Sequence, residues 1–170
     1  MTEGTLLGAT PSLEGTAFRV WAPTAKTVGV IFETSGRVFP LTRAPDGYFS
    51  GRDPLAQVGD LYRFRLDNQP PFPDPASRFQ PQGVHGPSQI VDPMGFKWTD
   101  SSWRGLPWNR TVFYEVHVGT FSPEGTFDGV RSRLPYLRNL GITAIELMPV
   151  ADFPGQRNWG YDGVNLFAPA

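Results

Sequence analysis

The 170 residues contain no cysteine, so neither a disulfide nor a thiolate metal site can be built from them. No apolar run approaches the ~20 residues that a membrane-spanning helix needs. No charge of one sign is in excess. Fifteen Lys and Arg stand against sixteen Asp and Glu, a net charge of -1. That balance gives no electrostatic case for nucleic acid or for an anionic membrane surface. Residues 1–9 lack a basic stretch followed by an apolar core, so they do not read as a secretory leader. The expectation is a soluble cytoplasmic protein. Long stretches free of helix breakers are scarce too. The 18 prolines and 19 glycines disfavour long helices and suit short strands joined by many turns.

What is present divides into three segments: residues 1–69, 70–110 and 111–170. In the first, Phe18-Arg19-Val20-Trp21 alternates apolar and polar positions, and residues 27–32 form a β-branched run. Asp46-Gly47 predicts a turn before Tyr48-Phe49, and Val58-Gly59-Asp60 a second turn before residues 61–66. In residues 61–66 one face is expected to be buried, with Arg63 and Arg65 facing water. Short strands with frequent turns predict a small antiparallel, immunoglobulin-like β-sandwich. The second segment is rich in proline from Pro70 onward, and residues before proline are pushed away from helix. Its phenylalanines and turn residues predict that it lies packed on a neighbouring surface.

The third segment starts with the mostly apolar residues 111–118, read as a buried parallel strand. Residues 119–125 read as a loop. Thr126 is a plausible N-cap, with Asp128 in the first helical turn. Val130, Leu134, Leu137 and Leu140 supply an apolar stripe, and Gly141 a stop. Pro135 is expected to kink or interrupt this helix. Residues 142–150 read as a second buried strand, and residues 165–170 as the start of a third. Strand, helix, strand is the crossover unit of a (β/α)8 barrel. A whole barrel takes ~250 residues, so this segment is expected to supply only its opening.

Several phrases carry a family resemblance. Phe18-Arg19-Val20-Trp21-Ala22-Pro23-Thr24-Ala25 resembles the start of the sandwich module that precedes the barrel in branching and debranching enzymes of the α-amylase superfamily. Residues 113–121 and 146–150 resemble the superfamily's first and second barrel strands. Residues 73–88, 122–127 and 155–164 are similar to the interdomain segment and two loops of the maltooligosyltrehalose trehalohydrolase family. The resemblance implies the N-terminal part of a retaining α-glucan hydrolase that releases trehalose from a maltooligosyl-trehalose, as a step in trehalose biosynthesis. It also implies that the catalytic carboxylates lie on later barrel strands, beyond Ala170, so no catalytic residue is assigned. No cofactor and no metal is expected, because glycosyl transfer between carboxylates needs none.

Substrate contact is expected at Trp159, Tyr161 and Asp162. Tyr and Trp offer flat apolar faces to a sugar ring, and a neighbouring carboxylate accepts hydroxyl hydrogen bonds. Asn158 and Arg157 are candidate polar groups beside them, with Phe121 and Phe153 packing at the same mouth. Glu124 and Asp152 read as loop anchors. Glu115 and Glu146, inside strands, read as structural residues paired with a neighbour. His117 is expected to hold the Gly119-Thr120 loop, and His85 to be structural. Other readings are a glycogen branching or debranching enzyme, or a carbohydrate-binding protein without catalysis. The sandwich itself would need exposed aromatics to bind sugar, and Trp21 is ambiguous from sequence alone.

Overall fold

The computed structural model describes residues 6–170. The leader reading falls largely on residues 1–5, outside that range. Two compact units emerge. The first runs up to Gly95 and includes Ala151–Gly155 and Gly163–Ala170; the second is Phe96–Val150 with Gln156–Asp162.

Eight strands build the main part of the first unit: β1 (Gly8–Ser12), β2 (Gly15–Trp21), β3 (Val28–Phe32), β4 (Val38–Pro40), β5 (Thr42–Arg43), β6 (Tyr48–Asp53), β7 (Leu61–Leu66) and β8 (Ser88–Gln89). They form two four-stranded antiparallel sheets, ordered β1-β2-β6-β5 and β4-β3-β7-β8. This is the expected immunoglobulin-like sandwich. Alternation explains its core. Phe18 and Val20 of β2, Phe49 of β6, Val28, Val30 and Phe32 of β3, and Tyr62 and Phe64 of β7 are all buried. Phe18 meets Tyr62 edge to face, with ring centroids 5.2 Å apart. Each such side chain contributes roughly 1.5–3 kcal/mol by leaving water. As expected, β7 turns its arginines outward; Arg63 pairs with Glu33 at 3.2 Å.

The proline-rich segment is fastened to this sandwich. Phe72 and Phe64 exchange backbone hydrogen bonds of 2.8 Å. Asp74 is fully buried; its carboxylate accepts from the Tyr62 hydroxyl at 2.5 Å and from the Ala76 N–H at 2.8 Å. Burial pushes the Asp74 carboxyl above its usual range, against the hydrogen bonds from Tyr62 and Ala76 and the nearby Arg78 charge. The Tyr62 hydroxyl is likewise pushed well up, first by burial and then by Asp74. Arg78 donates to the Ala9 carbonyl at 2.6 Å, so this segment also holds β1.

In the second unit, β9 (Phe113–Val116) is followed by a helical turn, α1 (Val118–Phe121), then α2 (Phe127–Leu140) and β10 (Ala144–Leu147). The α1 turn corrects the reading of residues 119–125 as loop throughout. β9 and β10 pair in parallel, Phe113 opposite Ala144 and Val116 opposite Leu147. The side chain of Thr126 caps α2 by accepting from the Gly129 N–H, and Gly141 closes the helix at φ 98°. Pro135 does not interrupt α2. The two parallel strands are less covered than expected. Only Val116 is buried, because one partner strand and one helix cannot enclose both faces. Glu115 and Glu146 lie opposite each other in register, both exposed, with no ion pair among the described residues. That corrects their reading as paired wall residues.

The last strand departs from expectation as well. β12 (Asn165–Pro169) does not extend the parallel ladder. It pairs antiparallel with β11 (Ala151–Asp152) in the first unit. A parallel return needs a long crossover, usually a helix. Residues 153–164, with Pro154 and three glycines, form none.

Candidate functional site

In alternating strand–helix barrels, substrate-contacting groups sit where parallel strands end. Here those ends are His117 after β9 and Pro149 after β10. The loop 156–162 folds back onto both. The Nε2–H of His117 donates to the Asn158 carbonyl oxygen at 2.9 Å, since a carbonyl can only accept. The Asn158 side-chain oxygen in turn accepts from the Gly160 N–H. Gly160 sits at φ 90°, and a Cβ there would come within 3.0 Å of the Pro149 carbonyl oxygen. Position 160 therefore requires glycine on two grounds, backbone angle and space.

This strapping holds three of the expected residues in one short run and leaves them open to solvent. Trp159 is 79% exposed, Tyr161 is 73% exposed, and Asp162 is exposed with no hydrogen bond or ion pair among the described residues. Arg157, also exposed, precedes them. Phe121 is half-buried, edge to face with Tyr114 at 6.0 Å. Chemically the loop offers two flat rings and one carboxylate acceptor. A retaining hydrolase needs two carboxyl groups ~5–5.5 Å apart, and this loop contains only Asp162.

Glu124 and Asp152, the acids read as loop anchors, lie outside this run. Glu124 is exposed, and its own backbone N–H holds its carboxyl below the usual range. Asp152 is buried in the first unit, where it accepts from the Phe153 N–H at 3.0 Å. No cluster of three or more metal-ligating side chains occurs among the described residues. None of their helices is long and apolar enough to cross a membrane.

His117 does more than the sequence reading assigned. Its backbone carbonyl accepts from the Thr120 and Phe121 N–H groups, main-chain bonds that do not depend on the histidine ring. Its ring holds a second loop, forty-one residues away. The ring's other nitrogen, Nδ1, is buried without a partner among the described residues. A histidine directly after a barrel strand was the only sequence signal for this.

Two family models match the chain. Carbohydrate-binding module 48, the isoamylase N-terminal domain, matches residues 6–95; the alpha amylase catalytic domain matches residues 85–168. Malto-oligosyltrehalose trehalohydrolase from Deinococcus radiodurans is 48% identical over 97% of this chain, and that from Saccharolobus solfataricus 46% over 91%. A 1,4-alpha-glucan branching enzyme from Pseudoalteromonas atlantica is more distant, at 28% over 96%. The chain spans about a quarter of the length of these curated relatives, 27%, 27% and 25% respectively. Among solved structures, a Salmonella typhimurium protein described as an alpha amylase superposes with a TM-score of 0.89 at 43% identity, covering 96% of this chain and 28% of that one. Pullulanase from Anoxybacillus complexed with maltotetraose gives 0.79 at 26%, covering 99% and 30%.

Proposed function

The chain belongs to the carbohydrate-binding module 48 family, and from that premise we propose that it is the front portion of a retaining α-glucan hydrolase that releases trehalose from maltooligosyl-trehalose. The observation that carries this reading is the identity, running through sandwich and barrel segments alike, to relatives that share that one activity. The distant branching enzyme is the runner-up, and its lower identity ranks it second. The substrate is an α-glucan chain ending in trehalose, and the working compartment is the cytoplasm.

The loop 156–162 is the part of this chain that meets the sugar. Trp159 and Tyr161 stack on ring faces, and Asp162 accepts hydroxyl hydrogen bonds. His117 is a positioning residue: it fixes the Asn158 carbonyl and with it the angle at which the loop leaves the strand ends. The general acid and the nucleophile come from barrel strands outside this chain. The 170 residues alone are therefore expected to release no trehalose above a buffer blank.

The test uses the protein that contains this chain together with the remaining barrel strands. Incubated with maltooligosyl-trehalose, it should liberate free trehalose; new branch points in amylose with no trehalose would replace this reading with the branching one. In the same protein Asp162→Ala should lower kcat/KM by about 100-fold or more, with little change in melting temperature. A large loss of melting temperature with near-normal turnover in the folded fraction would make Asp162 a structural anchor.

A further inference from the structure

Aspartate followed by glycine occurs at Asp46-Gly47, Asp128-Gly129 and Asp162-Gly163. Such a pair is chemically fragile. The glycine nitrogen, with no neighbouring Cβ in the way, can attack the preceding side-chain carboxyl and close a succinimide ring. Closure consumes the glycine N–H and needs a carboxyl free to turn. The three pairs differ in both respects.

In the turn before β6, the Gly47 N–H donates to the Ala44 carbonyl at 3.2 Å. The Asp46 carboxylate accepts from the Tyr48 N–H at 3.2 Å and lies 4.0 Å from the Arg19 guanidinium. In the first turn of α2, the Gly129 N–H donates to the Thr126 hydroxyl oxygen at 3.2 Å, and Gly129 is buried. The Asp128 carboxylate pairs with Arg131 at 3.1 Å. Asp162-Gly163 lacks every one of these restraints. Tyr161, Asp162 and Gly163 belong to neither helix nor strand, and Asp162 is exposed. Among the described residues, neither the Asp162 carboxylate nor the Gly163 N–H has a hydrogen-bond partner. The fold cannot shield the aspartate with a bulkier neighbour either, because a Cβ at position 163 would stand 2.6 Å from the Ala151 Cβ.

We propose that Asp162 is a site of spontaneous isoaspartate formation in the folded protein. The Gly163 amide nitrogen bonds to the Asp162 side-chain carbon. The carboxyl gives up its hydroxyl, which leaves with the amide proton as water. Water then opens the succinimide at either carbonyl, returning aspartate or leaving the main chain routed through the side-chain carbon. Nothing but water leaves or enters. The isoaspartyl product lengthens the backbone and shortens the arm that carries the carboxylate. The modification does not depend on the hydrolase reading. Its consequence does: with the loop 156–162 meeting sugar, isoaspartate at 162 withdraws the hydroxyl acceptor, and activity declines as the protein ages.

The 170-residue chain is incubated at neutral pH, folded or unfolded in urea. Isoaspartate is read by methyl transfer from radiolabelled S-adenosylmethionine with a protein L-isoaspartyl methyltransferase, and located by peptide mapping. In the folded chain, label at 162 should accumulate about tenfold or more faster than at 46 and 128, which must first open locally. In urea the three rates should converge. Asp162→Asn, which loses ammonia in the same step, should label faster still. Equal labelling of the three pairs in the folded chain, a preference for 162 that persists in urea, or no label at 162 in either wild type or Asp162→Asn overturns the proposal. In the protein that contains this chain with the remaining barrel strands, kcat/KM should fall in proportion to label at 162. Label there with constant kcat/KM keeps the modification and removes Asp162 from sugar contact.

Discussion

Asp74 is the buried charge on which the proline-rich segment turns. Its carboxylate accepts from Tyr62 and Ala76, and its own N–H donates to the Ser88 hydroxyl at 3.0 Å. Ser88 donates on to Gln80 at 2.6 Å. Replacing Asp74 by alanine leaves the Tyr62 hydroxyl and the Ala76 N–H unpaired inside the protein, at about 1–3 kcal/mol each. Asp74→Ala should therefore lower stability by several kcal/mol in a denaturant titration. Asp74→Asn keeps the shape and removes the ionisation. Because the folded-state pKa is raised, the native state binds the proton more tightly than the unfolded chain. Stability from this group is fully present below the unfolded value near 3.8 and is lost as pH rises through the folded one. The stability difference between wild type and Asp74→Asn should thus move in favour of the variant as pH rises from about 4. A difference that stays flat, or moves the other way, would mean that the hydrogen bonds outweigh burial at this carboxyl.

At the scale of elements, α2 offers a direct measure of local against tertiary forces. Its Thr126 cap and Gly141 stop were legible because capping is chemistry between near neighbours. Pro135 was read as a kink or an interruption; the helix runs through it without a break. Buried Val130 and Leu137, on either side of it, hold the helix together by packing. Proline costs about 3 kcal/mol relative to alanine in a helix interior. Pro135→Ala should accordingly raise the melting temperature of the second unit, and Thr126→Ala should lower its stability by about 1 kcal/mol. Circular dichroism melts of the two variants check both signs. The same division explains which strands could be read. β2, β3, β6 and β7 announce themselves by alternation. β1, the sequence Gly-Ala-Thr-Pro-Ser, has no such pattern and is held by Arg78 and the β2 ladder. The two-residue strands β5 and β8 exist only as partners of longer ones. The candidate loop was legible from its aromatics and acid, whereas the His117–Asn158 strap is a contact between distant segments that no local signal encodes.

The whole molecule joins two units of unequal self-sufficiency. In the sandwich, two four-stranded sheets bury Phe18, Phe49, Tyr62 and Phe64 almost completely. In the second unit, β9 and β10 have only each other, and Phe113, Tyr114, Ile145 and Leu147 remain substantially exposed. A two-stranded parallel ladder carries unpaired backbone groups on both outer edges, which template pairing with another chain. A net charge of -1 supplies little repulsion against that. Hydrogen exchange on the isolated chain should find slow amides in Leu61–Leu66, where Phe64 bonds to Phe72, and fast ones in Ala144–Leu147. The contrast should narrow as protein concentration rises, because pairing between copies would cover the ladder edges, and light scattering should report larger species over the same range. Strong protection of β10 in dilute, monomeric protein would mean that burial by its one strand and one helix suffices. The exposed aromatic faces of β9 and β10 would then need a different explanation from an unfinished barrel wall.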